Sequence, residues 1–269
     1  MQRTSHSSIP SVLPVEQGTR WWLSDLVLQE DPAEILAPYF LAVDAAVTAL
    51  GINLSFVSPV ELLEVNNANS ECWSPLVPMF DHRFNLLTGD NFIGIVGRDR
   101  SGRVVTANAI RLYDWRATDF VKETQSLRLM YADPTGMKRP AESCSVTATN
   151  ACEITGRAAF SGAAWVHPTH RRRGIGEVLP VLIKALAIGR WPVDCVFGMM
   201  AQSVYDRGFA ARFGFEREEF EAQWNNSVHG DLTLAVLWAS PTFITAGLTV
   251  FLGSASSEVN QPVLGRRSE

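Results

Sequence analysis

The chain has 269 residues, of which 28 are acidic and 23 basic, so its formal net charge is −5. An acidic balance argues against a protein whose main work is to coat nucleic acid. The length permits one elaborated domain or two small ones, and we favour one. The four cysteines show no C-x-x-C spacing and are typical of reduced thiols in a cytoplasmic protein: Cys72, Cys144, Cys152 and Cys195.

Both ends of the chain are polar. Residues 1–19 are rich in Ser, Pro and Gln without the continuous apolar stretch of a signal peptide, so we expect a flexible segment and no export. Residues 254–269 are similarly polar and are expected to form a flexible tail. The most apolar early segment, 35–57, contains Asp44 and Asn53 and is better explained by a helix and a strand than by a membrane span.

Two helix-start signals stand in the first quarter of the chain. Residues 31–34 read Asp-Pro-Ala-Glu, which combines an N-cap, a proline at the first helical position and a capping-box acid, and Gly51 would close that helix. Residues 58–61 read Ser-Pro-Val-Glu and repeat the signal. The pattern therefore predicts two helices before any strand of the sheet.

The middle of the chain alternates between strand and connector signals. Residues 92–96 and 104–113 flank a polar glycine turn and predict a β-hairpin. Residues 118–130 favour a helix, and 132–150 have little periodicity and are interpreted as an insertion. Residues 157–166 are apolar or small on both faces, which predicts a central strand of a sheet that is covered on both sides.

The most informative segment is 165–176, which reads Trp-Val-His-Pro-Thr-His-Arg-Arg-Arg-Gly-Ile-Gly. A strand end passes through a proline turn into a basic, glycine-bearing loop at the start of an amphipathic helix. Helix starts expose unpaired N–H groups and a partial positive charge, which suit a phosphate-like anion. Gly174 and Gly176 allow close approach, and the arginines supply charge. The segment therefore predicts a diphosphate ligand.

The loop also admits other interpretations. A dinucleotide-type G-x-G-x-x-G is excluded, because Leu179 stands where its third glycine belongs, and there is no Walker lysine. A solvated basic helix start that binds nothing specific stays open. A docking patch for nucleic acid or protein also stays open, although no aromatic residues interleave with the three arginines.

The helix after the loop has one apolar stripe and is expected to end at Gly189. Pro180 inside it removes a hydrogen bond, which costs roughly 3 kcal/mol in an ordinary helix interior, so we expect a kink or a compensated bend. Beyond it the pattern predicts a short buried strand, a short helix, a Gly-Phe turn and a further strand, at 194–199, 207–212, 214–215 and 231–238.

This order of parts resembles the GCN5-related N-acetyltransferase (GNAT) superfamily over roughly residues 90–240. The matching segments are Val-His-Pro at 166–168, Arg-x-x-Gly-x-Gly at 171–176 and Arg-Phe-Gly-Phe-Glu at 212–216. The resemblance implies an α+β fold, with a mixed, mostly antiparallel twisted sheet and helices on both faces in three α/β/α layers. It places the acyl-coenzyme A core at 86–253 and assigns the N-terminal part, 20–85, to the acceptor side.

The resemblance also implies an activity: an amine attacks the thioester of acetyl-coenzyme A, or of another acyl-coenzyme A, in a ternary complex without a metal. The diphosphate would lie on the loop amides, and Val166 would face the pantetheine arm or the thioester carbonyl. The acceptor would be a small-molecule or peptide amine; no nucleic acid or membrane partner is expected, and a homodimer is left open. The residues expected to bind the cofactor are Trp165, Val166, Arg171, Arg172, Arg173, Gly174, Ile175, Gly176 and Glu177.

Catalytic groups are harder to assign from the resemblance. Family members often carry a tyrosine four residues before the glycine of the Gly-Phe turn, and this chain has Ala210 there. Tyr205, His167 and Glu153 are the candidate catalytic residues, although a surface or capping histidine and a solvated strand-end charge are the commoner explanations of the last two. The missing tyrosine keeps a second hypothesis open: a coenzyme A-binding sensor with the same fold and little or no turnover.

Overall fold

The computed structural model of the protein describes residues 22–26, 28 and 33–259. The segment expected to be flexible at 1–19 and the proposed N-cap at Asp31 lie outside these ranges. The strands are β1 (Ile52–Val57), β2 (Phe92–Asp99), β3 (Val104–Asp119), β4 (Ser143–Val146), β5 (Thr155–Val166), β6 (Cys195–Ala201), β7 (Arg217–Ser227) and β8 (Gly230–Ala239).

The helices alternate with these strands along the chain. They are α1 (Ala33–Ala49), α2 (Pro59–Ala68), α3 (Phe120–Gln125), α4 (Pro134–Met137), α5 (Ile175–Arg190), α6 (Gln202–Tyr205), α7 (Phe209–Arg212) and α8 (Pro241–Val259). Short 3-10 turns lie at Trp22–Asp25, Pro78–Phe80, Thr149–Glu153 and Pro168–His170.

The strands of the described ranges form one sheet in the order β1-β2-β3-β5-β6-β8-β7-β4. Strands β5 and β6 run parallel, and the other neighbouring pairs run antiparallel. The predicted mixed, mostly antiparallel sheet is confirmed, and β5 occupies the predicted central position. The predicted hairpin is confirmed as β2 and β3, and the later strand signals as β6 and β8.

Apolar side chains pack against both faces of the sheet. On one face, α1, α5 and α8 cover the side chains of Ile95, Ile110 and Val196. On the other face, α2, α3 and the turn around Phe80 cover that of Phe160. Helices on both faces make the three α/β/α layers that the resemblance implied.

The N-terminal prediction is wrong in one respect, because β1 lies between α1 and α2. Its Ile52 and Leu54 are buried, and it pairs with β2 at the edge of the sheet. Six residues are too few for their alternation to outweigh the helix signals on either side. The capping box of α2 is confirmed: Ser58 Oγ accepts from the Glu61 N–H at 3.2 Å, and Glu61 Oε2 accepts from the Ser58 N–H at 2.7 Å.

Two predictions for the middle of the chain are also wrong. The helix expected at 118–130 ends at Gln125, since Leu127 adopts a left-handed backbone with φ 60°. The region 132–150, interpreted as an insertion of little periodicity, contains β4, which pairs with β7 at the far edge of the sheet. Such pairing depends on residues about 80 positions away, so no local pattern reveals it.

Helix α5 runs to Arg190, so the prediction that Gly189 ends it is wrong. Gly189 is needed for close packing, because a Cβ there would lie 2.8 Å from Leu28 and from Leu36. The helix is continuous through Pro180, and the expected bend stays a prediction. Helix α8 continues past Ser254 to Val259, so the expected tail begins with helix.

Candidate functional site

The two central strands separate part of the way along their length. Parallel pairing of β5 with β6 runs from Ala158 to Phe160, opposite Cys195 to Phe197. Beyond Phe197, β6 pairs only with β8, and beyond Phe160, β5 pairs only with β3 in the described sheet. A gap therefore opens between the carboxyl-terminal halves of β5 and β6.

The gap leaves one edge of β5 unpaired. The His167 N–H donates to the Val105 carbonyl at 2.8 Å, which is on the β3 side. Backbone groups point to alternate edges along a strand, so the Val166 N–H group is directed toward the gap. This open edge offers donors and acceptors to an extended ligand.

The loop that follows β5 exposes further backbone donors. Arg172 and Gly174 have left-handed backbones with φ 63° and 83°, and Gly174 is the N-cap of α5. Glu177 and Val178 donate their N–H groups to the Gly174 carbonyl at 2.9 and 3.2 Å. Within the described chain, no N–H group of 172–176 donates to a protein acceptor. Successive N–H groups without a described acceptor at a helix start are an arrangement that suits an anion.

The basic loop is held in place by side chains around it. Arg171 Nε donates to the Val166 carbonyl oxygen at 3.0 Å. Thr169 Oγ1 lies 2.8 Å from His167 Nδ1 and 2.9 Å from His170 Nδ1. Burial, followed by the nearby positive charge of Arg173, lowers the pKa of His170. A neutral His170 therefore packs beneath the loop at neutral pH.

The gap and the loop share one cavity of about 610 Å³. Gly176 abuts Val166, since a Cβ at 176 would lie 3.4 Å from Val166 Cγ2. Of the nine residues expected to bind the cofactor, seven line this cavity: Trp165, Val166, Arg171, Arg172, Gly174, Gly176 and Glu177. Arg173 is exposed outside the lining, and Ile175 is buried in the core beneath α5.

Trp165 contributes to the cavity while its ring lies elsewhere. The indole stacks on Trp73 with ring centres 4.8 Å apart, and its Nε1 donates to the Cys72 carbonyl. The Trp165 carbonyl accepts from Thr106 Oγ1 at 2.8 Å. The aromatic pair therefore braces the end of β5 on the face opposite α5.

The lining carries more positive than negative charge. Arg171, Arg172, Arg207 and Arg212 line it together with one described carboxylate, Glu177. That carboxylate is paired with Arg212 at 3.1 Å, and both side chains are about half exposed. The excess of positive charge suits a ligand with several phosphate groups.

The structure brings into the cavity further residues that the sequence did not indicate as cofactor-binding. Arg207, Phe209, Arg212 and Phe213 come from the segment around α7, more than 30 positions beyond the loop, and Asn108 comes from β3. The one signal for Asn108 in the sequence is that it is a polar residue within a mostly apolar stretch of its strand. No local spacing links it to the loop.

None of the three candidate catalytic residues is among the described lining residues. The Tyr205 hydroxyl donates to Glu218 Oε1 at 2.6 Å, and this carboxylate raises the pKa of the phenol. His167 accepts from the Thr169 N–H at 3.3 Å, and Glu153 is paired with Arg217 at the opposite end of β5. The structure therefore does not bring these three side chains together.

Ala210 occupies a core position. It is 5% exposed and packs with Met200, Ala235 and Leu237. The position that often carries the family's acid therefore helps here to fix α7 against the sheet.

Two further observations concern the described residues alone. They contain no group of three or more His, Cys, Asp or Glu side chains placed to hold a metal ion. None of their helices combines the length and the apolar character that crossing a membrane requires.

No family model and no curated protein matches the chain. Solved structures that are similar include Arabidopsis thaliana NAA60 in complex with acetyl-CoA, at 14% identity over 70% of this chain and 99% of that chain, with a TM-score of 0.45. Another is a mutant of the Vibrio cholerae spermidine/spermine N-acetyltransferase SpeG, at 10% identity over 76% of this chain and 98% of that chain, with a TM-score of 0.41. A third is the putative acyl-CoA N-acyltransferase from Klebsiella pneumoniae, at 13% identity over 71% of this chain and 98% of that chain, with a TM-score of 0.37.

Similarity at this level assigns neither substrate nor catalytic residues. The strand order, the parallel contact of β5 with β6 and the gap beyond it come from the chain itself. By these features the protein has a GNAT-like fold.

Proposed function

We propose that the protein is an N-acyltransferase that moves an acetyl or other acyl group from acyl-coenzyme A to an amine. The observation that carries this proposal is the run of N–H groups at 172–176 without a described protein acceptor, of which residues 172, 174 and 176 line the same cavity as the unpaired edge of β5. The first feature suits a diphosphate, and the second suits an extended chain of amides. Coenzyme A contains both parts in this order.

The cavity residues suggest how each part would be held. The diphosphate would accept hydrogen bonds from the loop amides, with Arg172 and Arg207 compensating its charge. The Val166 N–H would donate to a carbonyl of the arm. The thioester oxygen, where negative charge develops as the amine attacks, would lie further along the strand. The C–N bond then forms, the C–S bond breaks, and the coenzyme leaves as its thiol.

The proton steps have no assigned side chain. A reactive amine must arrive neutral, and the leaving thiolate must gain a proton. We propose that solvent at the open mouth of the cavity carries these protons, because the one described carboxylate of the lining, Glu177, is paired with Arg212. Catalytic roles for Tyr205, His167 and Glu153 stay predictions.

A coenzyme A-binding protein with little or no turnover is the second candidate function. It is favoured by the burial of Ala210 in the core and by the absence of the candidate acids from the described lining. Both functions use the same cavity, so they differ in chemistry rather than in binding. Residues 20–85 as the acceptor side, the identity of the amine, a homodimer and a cytoplasmic location stay predictions.

Calorimetry with acetyl-coenzyme A tests binding, and a thiol-release assay with a panel of small and peptide amines tests turnover. Binding with amine-dependent thiol release supports the acyltransferase, whereas binding without release supports the sensor. Failure to bind at high micromolar concentration overturns both. Salt-sensitive binding of a polyanion that acetyl-coenzyme A does not displace would instead support an interaction module.

A further inference from the structure

One buried side chain in the cavity has no partner. Asn108 on β3 is 1% exposed, and neither its Oδ1 nor its Nδ2 makes a hydrogen bond within the described chain. Buried amide groups are almost always paired, because desolvation without a partner is unfavourable. Asn108 lines the same cavity as the loop, so a ligand partner would have to approach it from there.

A bulge in β5 explains how a residue on β3 reaches the cavity. Ala107 pairs with Trp165 and Ala109 with Gly162, so two residues of β5 stand opposite Asn108. One of them, Ala163, has a left-handed backbone with φ 52°. The extra residue interrupts the ladder beside Asn108.

The position of Asn108 points to one part of the ligand. Gly176 abuts Val166, which puts the expected diphosphate level with the end of β5. Asn108 is level with residues 163 and 164, which are two to three positions, or about 7 to 10 Å, further along the strand. An arm that extends from the diphosphate toward the parallel contact of β5 and β6 would pass this point.

The chemistry of the Asn108 carboxamide limits which ligand group can pair with it. A phosphate would need donors alone and an ammonium group acceptors alone, whereas a carboxamide offers one acceptor and two donors. The neighbouring hydroxyl, Thr106 Oγ1, is already bonded to the Trp165 carbonyl. A secondary amide, with one N–H and one C=O, satisfies both ends of Asn108, and the pantetheine arm of coenzyme A contains two such groups.

We infer that Asn108 is a binding residue for an amide of the pantetheine arm, through paired hydrogen bonds from its Nδ2 and to its Oδ1. This inference rests on the proposed use of coenzyme A. It adds a side-chain contact from β3 to the backbone contacts expected from β5 and the loop.

The test compares two ligands by calorimetry on the full chain: coenzyme A, which has the arm, and adenosine 3′-phosphate 5′-diphosphate, which keeps the diphosphate and lacks the arm. Asn108→Ala and Asn108→Leu are expected to weaken coenzyme A binding about tenfold or more and to leave the affinity for the armless nucleotide within about twofold. Asn108→Leu is also expected to keep the melting temperature of the unliganded protein, since the removed amide had no partner in the described chain.

Asn85→Ala is the matched control. Asn85 is similarly buried, does not line the cavity, and donates from Nδ2 to the carbonyls of Pro78 and Met130 at 2.7 and 2.8 Å. Its loss is expected to lower the melting temperature without changing the ratio of the two affinities.

Three outcomes overturn the inference. Equal losses of affinity for both ligands in the Asn108 variants would show that Asn108 has a structural role only. Unchanged coenzyme A affinity would show that Asn108 pairs with water instead of the ligand. If the unaltered protein binds no coenzyme A, the proposed function fails and the inference fails with it.

Discussion

Arg171 Nε donates to the carbonyl oxygen of Val166 across five residues, and this bond closes the turn between β5 and α5. The guanidinium thereby holds the loop donors beside the open edge of the strand. Because Arg171 is engaged with the backbone, it positions the loop in addition to supplying charge. Arg172, which also lines the cavity, has no such bond among the described contacts.

We therefore predict that Arg171→Lys weakens coenzyme A binding about tenfold, although the charge is kept. Lysine lacks the planar fork that donates from Nε to the carbonyl while its other nitrogens stay free. Arg172→Lys is the matched control and is expected to bind nearly as well as the unaltered protein. Calorimetry measures the coenzyme A affinity of both variants. Equal losses of affinity would show that charge alone matters at these positions.

Gly176→Glu tests the proposed diphosphate site directly. A Cβ at 176 makes an ordinary contact with Val166, so the fold is expected to be kept, whereas Gly174 has φ 83° and a substitution there would be strained. The new carboxylate would enter the diphosphate site and lower coenzyme A affinity by about a hundredfold through like-charge repulsion. Calorimetry gives the affinity, and thermal melting checks the fold.

Gly176→Gln is the control for size, because it has the same length without the charge. It is expected to lose far less affinity than the Glu variant. If the Glu variant still binds coenzyme A normally, the assignment of this loop is wrong.

Tyr205→Phe tests whether the phenol stays beside Glu218 or reaches the leaving thiol during turnover. Since the hydroxyl donates to Glu218 and lies outside the described lining, the variant is expected to keep amine-dependent thiol release within about twofold. The measurement is kcat at saturating acetyl-coenzyme A. A fall of a hundredfold or more would show that Tyr205 reaches the leaving thiol during turnover, as the sequence analysis suggested.

Lys184 is a buried lysine on α5. Its Nζ donates to the carbonyls of Phe213 and Gly214, the latter at 3.3 Å, and lies 3.6 Å from the centre of the Phe215 ring. These contacts favour the charged amine, but burial dominates and lowers the pKa of Lys184 to about 7. The lysine ties the Gly-Phe turn, and hence the end of α7, to the helix that begins at the loop.

This pKa predicts how stability varies with pH. Between pH 7 and the ordinary lysine value near 10.5, the unfolded chain holds a proton that the folded chain has released. The free energy of unfolding therefore rises with pH across this window, by up to about 1.4 kcal/mol per unit for one proton. Urea denaturation at pH 7, 8 and 9 should show a smaller rise in Lys184→Met. If the free energy of unfolding rises equally with pH in both proteins, the prediction is wrong.

Local patterns predicted those parts of the protein whose causes are local. The capping box at Ser58 and Glu61 depends on residues three positions apart, and it formed as expected. The glycine-bearing loop likewise depends on backbone freedom at Gly174 and on the start of α5, and it lines the cavity. The apolar character of β5 on both faces was enough to place it in the middle of the sheet.

Long-range pairing determined the rest. Strands β1 and β4 are held by partners 40 to 80 residues away, so their own short sequences did not distinguish them. The place of Tyr205 beside Glu218 and the burial of Ala210 depend on how α6 and α7 pack on the sheet. Neither relation follows from the spacing of the Gly-Phe turn.

By itself, the sequence determined the central strand, through its apolar residues on both faces, and the glycine-bearing loop at the start of α5, because helix caps and glycine conformations are set by neighbouring residues. Only the tertiary structure decided that β5 and β6 separate beyond Phe160 and that Asn108 remains without a partner in the cavity. The physical reason is that hydrogen-bond satisfaction depends on every group that folding brings within reach, and this set is fixed only when distant strands pair.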